Sequence, residues 1–214
     1  MTALEPVQHV LAVAVRVTDH FLGTAVPDEL DVRLDATELP GLTRGGNGRR
    51  HTDGTYRFVD IDGGPHTLTV TSPDGRWMAL EPIATLWLPA AQPTHALVIE
   101  MWPAPSQNAP LGMPALRGKL VGTTAATIDQ RIEVDVGPDA TGHYTRTTSR
   151  AEFLFPLPGR LALDAAGNVP ITVRVIGQTI TGGELVAGEL RTPFIGSAFA
   201  IHPGRETHVR LFVT

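Results

Sequence analysis

Forty of the 214 residues are glycine (22) or proline (18), and they are spread along the whole chain. Proline lacks an N–H donor and clashes with the preceding helical turn, while glycine loses the most backbone entropy on ordering. A long helix therefore has almost nowhere to sit. Between these punctuators lie short runs of period two. VAVRV puts Val13, Val15 and Val17 on one face, LDVRLD puts Leu30, Val32 and Leu34 together, and TYRFVDI pairs Tyr56 with Phe58. HTLTVT pairs Leu68 with Val70, and THALVIEM aligns Leu97, Ile99 and Met101. In the second half RIEVDV, EFLFPL, ITVRVI and THVRLFV repeat the pattern. Strict alternation of this length is the mark of half-buried strands, and turn signals between them point to antiparallel sandwiches or barrels. The expected fold class is all-β.

A chain of this length holds one large domain or two of about 100 residues. Proline is densest in MWPAPSQNAPLGMPAL, where Pro103 to Pro114 show no alternation. Such a run cannot enter a central sheet and reads as a semi-rigid linker. The expected organisation is two antiparallel β-sandwich domains in tandem, residues 1–103 and 115–214, with a Pro-rich linker at 104–114. Two short matches support a repeat. Thr94-His95-Ala96-Leu97-Val98-Ile99 near the end of the first half matches Thr207-His208-Val209-Arg210-Leu211-Phe212. HTDGTYRF has an echo in TTSRAEFLF, with Thr148, Phe153 and Phe155 standing for Thr52, Tyr56 and Phe58 across a one-residue gap.

The stretch RRHTDGTYRFVDIDGGPHTLTVTSPDG concentrates histidine, aspartate and glycine. Each has a turn role. Asp53-Gly54 suits a position of positive φ, Gly63-Gly64 let the chain reverse after DIDGGP, and Ser72-Pro73-Asp74-Gly75 has the residue order of a type I turn. Asp60 and Asp62 are the one metal candidate, a weak surface calcium site, since the further oxygen ligands and closing glutamate of an EF-hand are absent. The eight histidines, His9, His20, His51, His66, His95, His143, His202 and His208, show no zinc-ligand spacing. GLTRGGNG reads as a hairpin loop, because no strand-then-helix context makes it a phosphate cradle. No G-x-S-x-G or P-loop occurs, and there is no cysteine to act as nucleophile, metal ligand or staple. The chain is expected not to be an enzyme and to need no cofactor.

With a net charge of −5 the chain lacks the basic footprint of a nucleic-acid binder. The N-terminal MTALEPVQHVLAVAVRV has no basic start, and its apolar run ends at Arg16, short of the roughly 20 residues that cross a bilayer. Neither nucleic acid nor membrane is expected as a partner, and the expected location is cytoplasmic or in a cytoplasmically assembled particle. Trp77, Trp87 and Trp102 all fall in the first half. They are candidate partner or ligand surfaces, as core anchors, interface residues or exposed rings that stack on sugars.

The order of these motifs resembles the carboxypeptidase regulatory-like (transthyretin-like) β-sandwich domains. Gly23, Val32 and Leu34 stand in its G-x-x-V-x-V segment, Thr52, Asp53, Gly54, Tyr56 and Phe58 in its T-D-x-x-G-x-F-x-F segment, and GGPHTLTV supplies the following turn and strand. RGKLVG, IEVDV and TRTTSRAEFLFPLPG give the second half a similar outline, with residues inserted between Leu34 and Thr52 and with Ser149-Arg150 in place of Asp-Gly. The resemblance implies a sandwich without catalytic residues of its own. The expected role is a structural or adaptor protein that meets other proteins of an assembly, for example a phage-tail-like particle, through sheet edges and loops. The alternative is a carbohydrate-binding module that uses exposed tryptophans.

Overall fold

The computed structural model describes residues 11–34, 48–79, 83–88, 95–109, 113–136, 143–157 and 161–214. Most of GLTRGGNG, the LPAAQPT run beyond Leu88, the middle of the Pro-rich segment at 110–112 and the N-terminal ten residues with His9 lie outside them. The fold is all-β. In chain order the strands are β1 (Leu11–Asp19), β2 (Asp31–Leu34), β3 (Arg49–Arg50), β4 (Thr55–Val59), β5 (Gly64–Thr71), β6 (Trp77–Ala79), β7 (Ile83–Leu88) and β8 (His95–Pro103). They continue with β9 (Ala115–Val121), β10 (Arg131–Asp135), β11 (Tyr144–Arg146), β12 (Glu152–Pro156), β13 (Val169–Val175), β14 (Ile180–Ala187), β15 (Leu190–Ile195), β16 (Ala198–Ile201) and β17 (Glu206–Val213). One helical turn, α1 (Thr124–Thr127), interrupts them.

The chain separates into two compact units, Met1–Asp19 with Gly23–Met101, and Trp102–Thr214 with His20–Leu22. In the first, one sheet has the order β3-β4-β1-β8-β6 and the other β2-β5-β7. Both contribute to a single core: Val13, Val15, Tyr56 and Phe58 come from the first sheet and Val32, Leu34, Leu68 and Val70 from the second. These are the residues that alternation placed inward, because in a pleated strand every second side chain shares a face. Inside this core the Tyr56 hydroxyl accepts the Leu30 N–H at 2.9 Å.

The second unit has sheets of order β12-β9-β17-β14-β15 and β11-β10-β13-β16. Leu116, Leu120, Phe153, Phe155 and Leu211 of the first sheet are buried, as are Ile132, Val169, Ile171 and Val173 of the second. Gly118 shows how the packing is achieved. A Cβ there would overlap the ring of Phe153 and lie 2.9 Å from Val209 Cγ1, so the absent side chain is the space that the ring fills.

The two units are wired alike. Each first strand lies between an antiparallel and a parallel neighbour, β4 and β8 beside β1, β12 and β17 beside β9. The strands β2-β5-β7 and β10-β13-β16 form the second layers, and β6 and β14 extend the first layers beyond β8 and β17. Among the described residues β15 has no counterpart in the first unit, and the strands before the two turns differ in partner, β3 pairing with β4 and β11 with β10.

This wiring corrects both sequence matches. His51 N–H bonds Thr55 O and Gly54 N–H bonds His51 O, while Thr148 N–H bonds Glu152 O and Ala151 N–H bonds Thr148 O. The turns are therefore equivalent without a gap, with Ala151 at φ 63° standing where Gly54 has φ 79°. Arg150-Ala151, rather than Ser149-Arg150, replaces Asp53-Gly54. The THAL and THVR elements are out of register by one residue. Val13 pairs with Phe58 and His95, whereas Leu116 pairs with Phe155 and Thr207. The sequence match would equate Val98, 65% exposed, with fully buried Leu211.

Strand β8 runs on through Pro103, and Ala104 is buried, so the Pro-rich segment begins inside a packed element. A second departure is β14–β16, which has no alternating signature in sequence. Gly182 and Gly183, which look like a break, are buried within β14, and the Phe194 ring crosses Gly183 where a side chain would stand.

Candidate functional site

The outward face of the second unit's five-stranded sheet carries its densest polar constellation. Alternation on β9 turns Leu116 and Leu120 inward and Arg117 and Lys119 outward; on β17 it turns Val209 and Leu211 inward and His208 and Arg210 outward. Register then aligns them in rows. Glu152, Lys119, Arg210 and Glu184 are successive cross-strand neighbours, and so are Arg117, His208, Val186 and Arg191. The Arg117 guanidinium donates to both Glu206 oxygens, from Nε to Oε1 at 2.6 Å and from Nη2 to Oε2 at 2.9 Å, and also to the Gln107 carbonyl. His208 Nε2 lies 3.1 Å from Glu206 Oε1. Arg210 and Arg191 converge on Glu184 Oε2 at 3.4 and 3.5 Å. Hydrogen bonding to Arg117, with the charges of Arg117 and His208, holds the Glu206 carboxyl below the ordinary glutamate range against its partial burial.

Arg117, Lys119, Glu152, Arg191, His208 and Arg210 line a shallow groove of about 410 Å³. Four permanent cations, Arg117, Lys119, Arg191 and Arg210, stand there with Glu152, and Glu206 and Glu184 pair with its arginines from beside it, so this face is locally cationic on a chain of net charge −5. Lys119 has no ion-pair partner among the described residues. The arrangement orients charge and hydrogen-bond donors, which suits docking a polar partner; it brings no nucleophile against a base.

At the margin of this face lies β15. A strand packed on one side alternates between buried and exposed residues, but five of the six β15 residues are exposed and Phe194 is only half-buried. Ile195 is 92% and Leu190 66% accessible, and register places them on opposite faces of the strand.

The second unit also holds an aromatic cluster. Trp102 is buried; its indole N–H donates to the Tyr144 carbonyl and its ring stacks on His20 at 4.6 Å. His143 Nδ1 lies 3.3 Å from His20 Nε2, and the Arg131 guanidinium sits 3.9 Å above the Tyr144 ring. Phe21 packs edge-on to Phe155.

The tryptophans are thus not a set. Trp102 offers no exposed ring. Trp77 is half-buried against the first unit's core, and its indole N–H donates to Asp28 Oδ2 at 2.6 Å while Arg76 bonds the other Asp28 oxygen at 3.0 Å. Trp87 lies on β7, opposite Pro65 of β5. Asp60 closes β4 at φ 55°, and the Asp62 carbonyl lies 2.7 Å from His66 Nε2. Among the described residues no three histidine, aspartate or glutamate side chains gather as a metal would require. Asp53 serves its turn: Thr55 and Arg57 donate to its carboxylate and hold it well below the usual range. Also among the described residues, no helix is long and apolar enough to cross a membrane.

Sequence reasoning missed both the charged rows and β15. The rows depend on register between strands far apart in sequence. For β15 a faint signal existed, since LRTPFI carries a proline among residues that favour strands, as edge strands do.

No protein-family model matches the chain, and no curated protein matches it. Among solved structures, the Bacillus anthracis TIE protein matches at 11% identity and a TM-score of 0.35, over 96% of this chain and 34% of its own. A Streptococcal ancillary pilin matches at 11% identity and a TM-score of 0.35, over 96% of this chain and 62% of its own. A DUF3823 family protein from Parabacteroides merdae matches at 13% identity and a TM-score of 0.31, over 91% of this chain and 80% of its own. The chain thus spans less than two thirds of the first two proteins it resembles. At these scores the likenesses assign the chain neither a family nor a role.

Proposed function

We propose that this chain is a non-catalytic structural protein that meets other proteins of a larger assembly. It is composed of two related transthyretin-like sandwiches in tandem, with residues 104–114 as their linker. The equivalent wiring of β1–β8 and β9–β17, down to the matched turns at Gly54 and Ala151, supports the tandem reading. Assembly in the cytoplasm, as in a phage-tail-like particle, belongs to the same proposal.

The observation that carries the contact role is β15. A strand with exposed Leu190 and Ile195 contributes little to its own core, and exposed apolar side chains beside a charged rim are the composition of a contact surface. The sugar-stacking alternative is not favoured, since Trp102 is buried and Trp77 is tied to Asp28. A photo-crosslinking amino acid placed at Leu190 or Ile195 tests the proposal in native lysate, with Leu163, an exposed residue outside the strands, as reference. Discrete adducts from the β15 positions and none from Leu163 are expected. The same diffuse labelling from all three positions refutes a specific contact surface.

A further inference from the structure

Sheet edges invite added strands because half of their N–H and C=O groups have no partner. In the second unit three of the four edges are closed by identifiable devices. On β15 the bond from Gly196 N–H to Thr181 O fixes which residues face β14, and Arg191, Pro193 and Ile195 then face outward. Pro193 removes the central donor. On β12 the outward residues are Glu152, Leu154 and Pro156. Thr148 takes both main-chain groups of Glu152, through its hydroxyl to the N–H and its N–H to the carbonyl, and Pro156 has no donor. On β11 the outward carbonyl of Tyr144 accepts the Trp102 indole.

The fourth edge, β16, has no such device. Val173 N–H bonds Ser197 O, which turns Ser197, Phe199 and Ile201 toward β13 and the main-chain groups of Ala198 and Ala200 outward. Those four groups have no partner among the described residues. Both side chains are small and exposed, and a groove of about 520 Å³ runs along the same strip, lined by Pro170, Thr172, Ala198, Ala200 and Asp135.

We infer that β16 pairs antiparallel with β16 of a second copy of this chain. The two outward residues flank Phe199 symmetrically, so a two-fold axis at Phe199 sets Ala198 against Ala200 of the other copy, and Ala200 against its Ala198. Each of these pairs exchanges both main-chain hydrogen bonds, four in all, and every outward group of the edge is satisfied. Two outward residues give a foreign strand only this short ladder. A second copy also brings an identical strip of Pro170, Thr172 and alanine methyls to the other side of the seam on this face, while half-buried Phe199 meets Phe199 of the other copy on the opposite face. The two four-stranded sheets then run on as one of eight.

This inference deepens the protein-contact reading, and the two fail separately. Sedimentation equilibrium of the full chain across micromolar to submillimolar concentrations is expected to show a reversible dimer. Ala198→Pro and Ala200→Pro each delete an N–H that points away from β13, at the kind of position Pro193 and Pro156 already occupy. Both variants are expected to keep the wild-type circular dichroism spectrum and melting temperature while the dimer Kd rises about 30-fold, for two lost bonds per dimer. Register is read separately: the chain has no cysteine, so oxidation of mixed A198C and A200C chains should give the heterodimeric disulfide faster than either variant alone. A wild type that stays monomeric throughout overturns the inference, as does a dimer that survives both proline variants. If the monomeric protein still gives discrete adducts at Leu190 or Ile195, the contact role stands and self-pairing alone has failed.

Discussion

Replacing Gly118 with alanine adds one methyl group, and two opposing effects decide its sign. Alanine restricts the unfolded chain more than glycine, a gain of roughly 0.5–1 kcal/mol at an extended position. Against this, the new Cβ would overlap the Phe153 ring and approach Val209 Cγ1 to 2.9 Å. Phe153 is fully buried, so its ring cannot swing into solvent. Overpacking a closed core in this way costs about 1–3 kcal/mol, and the collision is close enough to place Gly118→Ala at the upper end. The expected net loss is about 1–2 kcal/mol, read as a lower urea midpoint with an unchanged m-value. Phe153→Leu removes the colliding ring at its own cost in burial. In the double variant the methyl at 118 should be neutral or stabilising, giving a coupling of about 1–2 kcal/mol. A Gly118→Ala protein as stable as wild type, or strictly additive losses in the double variant, refutes the packing account.

Ala151→Gly should stabilise the chain by about 1 kcal/mol, since alanine at φ 63° carries a left-handed penalty that glycine escapes; an unchanged urea midpoint contradicts this. Tyr56→Phe leaves the buried Leu30 N–H without its acceptor and should cost about 1–2 kcal/mol in the same assay. Because the Glu206 carboxyl titrates below its ordinary value of 4.5, its pairing contributes above that value and is lost as pH falls through the lowered one; Arg117→Ala should flatten the acid loss of stability in that window, measured by melts from pH 6 to 3. The fragment 102–214 should melt cooperatively on its own, below the full chain because it lacks His20 and Phe21, and above 112–214, which also lacks the buried Trp102; an unfolded 102–214 that stays unfolded when a peptide of residues 17–25 is added refutes the tandem-domain proposal.

Where one face of a strand meets a core, period-two alternation carried the information, and Val13, Val15, Leu34, Phe58 and Leu68 could be placed inward from sequence alone. Legibility ended where that condition ended. Gly182-Gly183 offer no side chain to carry a period, and the sequence cannot show that the Phe194 ring needs the room at Gly183. β15 is exposed on both faces and has no period to read. The positive φ of Ala151 is imposed by the turn rather than advertised by residue type, and its disguise produced the one-residue gap in the repeat. Identical THXX letters at the starts of β8 and β17 outweighed the subtler agreement in which residues pair with Val13 and Leu116. The charged rows were out of reach for a related reason: Arg117 and Glu206 are 89 residues apart, and only strand register makes them neighbours.

The parallel seating of β1 against β8 and of β9 against β17 has a mechanical consequence. In each unit the strand that enters the fold and the strand that leaves it lie side by side in the same direction, over seven consecutive residue pairs in each case. Tension applied between the ends of a unit then pulls these strands lengthwise past each other. Their hydrogen bonds bear the load together, whereas a hairpin pulled open at its ends surrenders them one at a time. Each unit is therefore built as a shear clamp, in which the whole parallel ladder, rather than one bond at a time, meets a stretching force.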